Sequence, residues 1–145
     1  MLAVDDDPGF RLLCRTSLED AGLEVVEAAN GDEALAQVHA VRPDAILLDI
    51  LMPGVSGWDV AAVLLDDPAT TEIPIIFISA LTGPGNSLRA FELGAADYLT
   101  KPFDADALGS TVRGVLDQIA RGERSALIAE RIEVLRAELA ASSQG

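Results

Sequence analysis

Asp44-Ala45-Ile46-Leu47-Leu48-Asp49 decides the fold. Its four apolar residues lie between Pro43 and Pro53-Gly54 and read as a short strand buried on both faces. A carboxylate closing such a strand emerges at the carboxyl edge of a parallel sheet. Open α/β folds bind their ligands at that edge.

Outward from this stretch, strands and helices alternate. Met1-Leu2-Ala3-Val4 is an apolar first strand that runs straight into Asp5-Asp6-Asp7-Pro8. Asp7 can cap a helix that has Pro8 in its first turn, with Phe10, Leu12, Leu13, Cys14, Leu18 and Ala21 as its apolar face and Gly22 as its end. A second strand is expected over 23–28 and a helix from Asp32-Glu33 to just before Pro43. Past Asp49, Met52-Pro53-Gly54-Val55-Ser56-Gly57 reads as a loop, 58–65 as a helix and Ile75-Ile76-Phe77-Ile78-Ser79 as a central strand. Gly83-Pro84-Gly85-Asn86 is expected to be a flexible connection, followed by a helix over 87–93, a strand over 98–100 and a helix over 104–121. This alternation predicts a parallel sheet with helices on both faces. Length and strand count fit a flavodoxin-like, doubly wound α/β domain over residues 1–121, with strand order 2-1-3-4-5.

Residues 122–145 form a helical tail of different character. Ile128, Ile132, Leu135 and Leu139 are spaced four, three and four apart, a seam of about two heptads. The seam could dock on the preceding domain, pair with a second chain or continue as a signalling helix. A dimerisation or linker role is the expectation. The small residues from Ala140 onward read as a fraying end.

Composition excludes several classes. Half of the 145 residues are hydrophobic, which suits a globular chain. The net charge of −14 opposes nucleic-acid binding, which needs a basic face, and disfavours anionic membranes. No apolar run approaches a membrane span and no signal peptide stands at the start. The one cysteine, Cys14, forms no internal disulfide and suits a reducing cytoplasm, the expected location. The basic residues are nine arginines and a single lysine, Lys101, which points to a place where a compact ammonium is needed.

Strands one and three are neighbours where the strand order reverses, so Asp5, Asp6 and Asp49 meet there. Ser79 ends the fourth strand and Lys101 the fifth, on the same edge. Two acids, a carboxylate nucleophile, a hydroxyl and an ammonium thus share one rim. Phosphoryl transfer to a carboxylate needs this set: an in-line nucleophile, stabilised equatorial oxygens and a divalent cation to offset anionic repulsion. Mg²⁺ favours one or two carboxylates with waters and phosphate oxygens.

Val4-Asp5-Asp6-Asp7-Pro8, Leu48-Asp49-Ile50-Leu51-Met52-Pro53-Gly54, Ile78-Ser79-Ala80 and Gly94-Ala95-Ala96-Asp97-Tyr98-Leu99-Thr100-Lys101-Pro102-Phe103 resemble, in order and spacing, the receiver domain of the two-component response regulators. The resemblance covers about 115 residues. It implies that Asp49 is the phosphoacceptor, Asp6 a direct Mg²⁺ ligand, Asp5 its water-mediated partner and the Leu51 carbonyl a third protein ligand. It further implies that Lys101 and Ser79 bind phosphoryl oxygens. Tyr98 would be the switch aromatic that moves inward when Ser79 shifts, and Pro102 would follow a cis peptide bond. The implied partner is a histidine kinase or a phosphotransfer protein. The implied chemistry is self-catalysed phosphorylation and dephosphorylation of the aspartate, without turnover of an external substrate. Phosphorylation would reset the surface of the fourth helix, fifth strand and fifth helix. The rival expectation is an interaction module that dimerises through its tail without phosphorylation. A hydrolase on a related fold ranks lower, because Leu51 stands where it would place a second aspartate.

Overall fold

The computed structural model describes residues 1–101 and 104–144. Along the chain lie β1 (Leu2–Val4), α1 (Pro8–Asp20), β2 (Val26–Ala28), α2 (Gly31–Val41), β3 (Ile46–Asp49), α3 (Gly57–Asp66), β4 (Ile75–Ser79), α4 (Pro84–Leu93), β5 (Asp97–Thr100), α5 (Ala105–Ala120) and α6 (Arg124–Gln144). The strands form one five-stranded sheet in the order β2-β1-β3-β4-β5, and every pairing is parallel. The doubly wound architecture expected from the sequence is the one observed.

Successive strand residues face opposite sides of a sheet, and that period of two sorts the core. Leu2, Val4, Ile46, Leu48, Ile75 and Phe77 face one side and pack with Ala34 and Val38 of α2, Val60, Ala61 and Leu64 of α3 and Ala90 and Phe91 of α4. Ala3, Leu47, Ile76 and Ile78 face the other side and pack with Cys14 and Leu18 of α1 and Leu108, Val112 and Val115 of α5. Strand β3 has no exposed face, which is why its sequence is uniformly apolar.

Two elements begin three residues away from the sequence expectation, and other boundaries shift by a residue. Strand β2 begins at Val26, because the backbone N–H of Leu23 bonds back to the Leu18 carbonyl at 3.1 Å and so belongs to the end of α1. Helix α4 begins at Pro84, not Ser87: proline fits the first helical position, where its missing N–H costs nothing. Pro102, with its expected cis bond, lies outside the described residues.

The tail is a helix up to Gln144, and its seam packs on its own domain. Leu135 is 2% exposed and lies in the same apolar cluster as Ala90 and Phe91 of α4, with Ile128 and Ile132 packed against it. The turn between α5 and α6 needs the left-handed backbone of Gly122 (φ +72°). Arg124, at the start of α6, secures the return. Its guanidinium donates to the Ala96 carbonyl at 2.8 Å and to Gln118 of α5 at 2.8 Å, and pairs with Asp97 at 3.2 Å. Farther along, Arg136 pairs with Glu92 of α4 at 3.0 Å.

The buried seam residue should therefore behave as core. Leu135→Ala should lower the stability measured by urea unfolding by about 2–4 kcal/mol. Val134→Ala, on the exposed side of the same helix, should stay within about 0.5 kcal/mol of the parent. Equal effects would mean that α6 does not dock.

Candidate functional site

Strand ends build the rim. Register places Val4 beside Leu48 and Asp49 beside Ile78, so Asp5 follows β1 next to the end of β3. Ser79 pairs with Thr100, and the Lys101 N–H bonds to the Ser79 carbonyl at 2.7 Å. Asp5 and Asp49 are each 3% exposed, while Asp6 is exposed. Carboxylate oxygens of Asp5, Asp6 and Asp49 all lie within 4.8 Å of one another. The Lys101 ammonium donates to Asp5 Oδ2 at 2.9 Å and stands 3.5 Å from Asp49 Oδ2.

Local chemistry holds each group in place. Asp5 Oδ1 accepts the Asp7 N–H at 2.9 Å, and the Arg11 guanidinium donates to the Asp5 carbonyl at 2.7 Å. Arg11 is itself held by Glu27 at 3.0 Å. Asp49 Oδ1 accepts the Leu51 N–H at 3.3 Å, and Leu51's side chain is exposed. Below Asp49 the chain doubles back sharply: the Gly57 N–H bonds to the Ile50 carbonyl at 2.9 Å. A Cβ on Gly57 would come within 2.2 Å of the Asp49 carbonyl oxygen, so only glycine fits there. The fully buried Ser79 hydroxyl accepts the Leu81 N–H at 3.2 Å. Tyr98 points inward, and its phenol donates to the Leu81 carbonyl at 2.7 Å.

The electrostatics follow from crowding. Burial, then the neighbouring charge of Asp5, push the Asp49 carboxyl up from 3.8 to about 6, against the pull of Lys101. Burial opposes the Lys101 ammonium, but its bond to Asp5 and the charges of Asp49 and Asp5 outweigh that and raise its pKa. Cys14 lies under this rim, and burial first, then Asp5, lift its thiol to about 12, which makes it an inert core group.

The three carboxylates suit a shared hard divalent cation. Oxygens on opposite sides of an octahedral Mg²⁺ are about 4.2 Å apart, comparable with the 4.8 Å within which these carboxylate oxygens lie. Both oxygens of Asp5 already have partners, the Asp7 N–H and the Lys101 ammonium.

Asp5, Asp6, Asp49, Ser79 and Lys101, expected together from strand order, lie on the same rim. Tyr98 lies beside Ser79 through their common partner Leu81. Sequence reasoning missed Arg11, which anchors the Asp5 carbonyl, and Phe10, whose ring centroid is 4.0 Å from the Lys101 nitrogen. The sequence pattern places Phe10 only on the apolar face of α1. No spacing rule links residue 11 to residue 27, or residue 10 to residue 101.

A doubly wound sheet that gathers an acidic cluster, a lysine and a hydroxyl at the carboxyl ends of its strands defines a class of α/β domain. The chain belongs to the response regulator receiver domain family, which matches residues 1–113. The match ends within α5, and α6 lies beyond it. Over 128 residues the chain is 39% identical to the phosphate regulon transcriptional regulatory protein PhoB of Pseudomonas aeruginosa, covering 88% of this chain and 56% of that protein. It is 40% identical over 131 residues to the response regulator PleD of Caulobacter vibrioides, covering 86% of this chain and 29% of that protein. Chemotaxis response regulator CheY4 of Vibrio cholerae superposes with a TM-score of 0.73 at 34% identity, covering 79% of this chain and 95% of that one. The chain thus spans about half the length of PhoB and less of PleD. Among the described residues no helix is long and apolar enough to cross a membrane.

The raised Asp49 pKa has a stability consequence with a defined sign. The folded carboxyl keeps its proton up to about pH 6, whereas the unfolded one loses it near 3.8. The folded state therefore loses stability as pH rises between these values, and the full penalty is present above pH 6. In chelator-treated buffer Asp49→Asn should raise stability at pH 7.5 by on the order of 2–3 kcal/mol. The advantage should shrink below pH 6 and vanish near pH 3.8. Thermal melts of both proteins across this range check it, and a pH-independent difference would contradict the assignment.

Proposed function

We propose that this receiver domain is a phosphorylation switch in which Asp49 accepts a phosphoryl group from a histidine kinase or a phosphotransfer protein. One observation carries the reading: a nearly buried carboxylate stands 3.5 Å from the sole lysine of the chain, with two further carboxylates within 4.8 Å.

Asp6 and Asp49 would hold Mg²⁺ directly, Asp5 through water, and the Leu51 carbonyl would complete the protein ligands. When bound, the cation offsets repulsion between the Asp49 carboxylate and an anionic donor. Asp49 attacks phosphorus as the donor's bond to phosphorus breaks. The Lys101 ammonium neutralises charge on one phosphoryl oxygen, and the Ser79 hydroxyl turns from the Leu81 N–H to donate to another. Near neutral pH Asp49 is ionised and nucleophilic, since pH 7 lies above its raised pKa. Hydrolysis of the resulting acyl phosphate resets the switch. The readout is the surface of α4, β5 and α5, reached through Ser79, Leu81 and Tyr98. The family relationship supports a cytoplasmic setting.

Incubation with Mg²⁺ and a small acyl phosphate should add one phosphate by intact mass, and Asp49→Asn should add none. An unmodified parent, or an undiminished adduct on the variant, sinks the reading. In addition, Mg²⁺ should raise the melting temperature of the parent by neutralising the crowded carboxylates, and Asp6→Ala should abolish that rise. A parent insensitive to saturating Mg²⁺ would contradict the metal site.

A further inference from the structure

Phe10 lies in the first turn of α1, outside the strand ends that deliver the rest of the site, yet its ring sits against the key cation. The ring centroid is 4.0 Å from the Lys101 nitrogen, well inside the range of a cation–π contact. Asp5 Oδ2 takes one side of the same ammonium at 2.9 Å, and Asp49 Oδ2 stands at 3.5 Å. The aromatic ring closes a further side to water, and a π face attracts the cation without competing for its N–H bonds.

The position of the ring is fixed by a closed circuit of contacts. Asp5 Oδ1 accepts the Asp7 N–H, and Asp7 Oδ1 accepts the N–H groups of Gly9 at 2.9 Å and Phe10 at 3.3 Å. Arg11, the next residue, returns to the Asp5 carbonyl at 2.7 Å. Phe10 is also packed against the apolar cluster of α1 and α5. The backbone of residue 10 is therefore tied to Asp5 from both sides, and the side chain meets the cation that Asp5 binds. The circuit runs Asp5, Asp7, Phe10, Lys101 and back to Asp5.

We propose that Phe10 is a positioning residue for phosphoryl transfer: its ring holds the Lys101 ammonium over the Asp49 carboxylate through a cation–π contact. The proposal rests on the phosphoacceptor reading of Asp49 and extends it to a residue outside the strand-end set. Lysine has a flexible four-carbon stem, and an ammonium free to leave for solvent would stabilise the transferring group only part of the time. The ring removes that alternative. Its contribution is electrostatic as well as steric, so an aliphatic side chain of similar bulk replaces only part of it.

Lys101 is the single lysine among 145 residues, so the side-chain resonances of lysine report on this one place. In the full-length chain its ε-CH₂ protons should lie upfield of their ordinary position because of the ring above them. Phe10→Leu should return them to that position, and Phe10→Tyr should keep them shifted. With Mg²⁺ and a small acyl phosphate, the phosphorylation rate constant followed by intact mass should fall roughly three- to tenfold in Phe10→Leu. Phe10→Tyr should stay within about twofold of the parent. Rescue by tyrosine but not leucine separates a cation–π role from simple packing, and both variants keep enough apolar bulk to fold. Unshifted lysine resonances in the parent overturn the contact. Equal rates for phenylalanine and leucine overturn the positioning role even where the resonances are shifted. A parent that takes up no phosphate overturns the phosphoacceptor reading, and the positioning role with it, while the lysine resonances still test the contact separately.

Discussion

One ammonium among crowded carboxylates is the interaction on which this domain turns. Sheet topology forces Asp5 and Asp49 side by side at the ends of β1 and β3, both nearly inaccessible to water. Burial first, then repulsion from Asp5, raise the Asp49 carboxyl, and Lys101 offsets them only in part. A site left with unrelieved negative charge favours the arrival of positive charge. The same deficit that disfavours the bare fold favours a divalent cation among these carboxylates. Net charge reinforces this, since a chain at −14 attracts cations over its whole surface.

What the sequence disclosed follows from the sheet. In a parallel, doubly wound fold every strand end points to one edge, so residues just past apolar runs must share a rim. Asp5, Asp6, Asp49, Ser79 and Lys101 are legible for that reason, Lys101 also as the single lysine of the chain. Phe10 and Arg11 were not, because a helix's first turn can aim in several directions until its capping bonds are known. The start of α4 was misjudged because Gly83-Pro84-Gly85 suggests looseness, yet proline at a first helical position organises a turn. The early residues of β2 were lost to the end of α1 by a single backbone bond from Leu23 to Leu18.

The tail shows a different limit. A seam at four-three-four spacing specifies that a helix has an apolar stripe, not what the stripe meets. A second copy, a downstream coiled coil and the chain's own α4 present the same kind of surface. The choice among them depends on the Gly122 turn and on where Arg124 finds partners, here the Ala96 carbonyl, Asp97 and Gln118. Docked there, α6 lies against the region that Tyr98 reaches: Tyr98, Phe91, Ile128 and Arg124 line one cleft of about 300 Å³. Burial raises the Asp97 carboxyl in this cleft, and Arg124 beside it pulls the other way.

Energetics then constrain how α6 could serve another partner. Leaving α4 exposes Leu135, a loss of about 1.5–3 kcal/mol for a fully buried leucine, with further losses from Ile128 and Ile132. The Arg136–Glu92 pair is exposed on both sides and contributes little. Even the lower bound leaves less than about a tenth of the molecules with a free seam, since 1.4 kcal/mol is tenfold in an equilibrium constant. A partner helix of equal apolarity would only exchange one bed for another and would also bear the entropy of association. An intact α4 bed therefore weakens any pairing through α6 by about tenfold or more, and a change that loosens the bed would relieve that cost. The elements available for such a change are the ones that meet at the cleft, α4 and β5 with Tyr98, which connects to the site through Leu81 and Ser79.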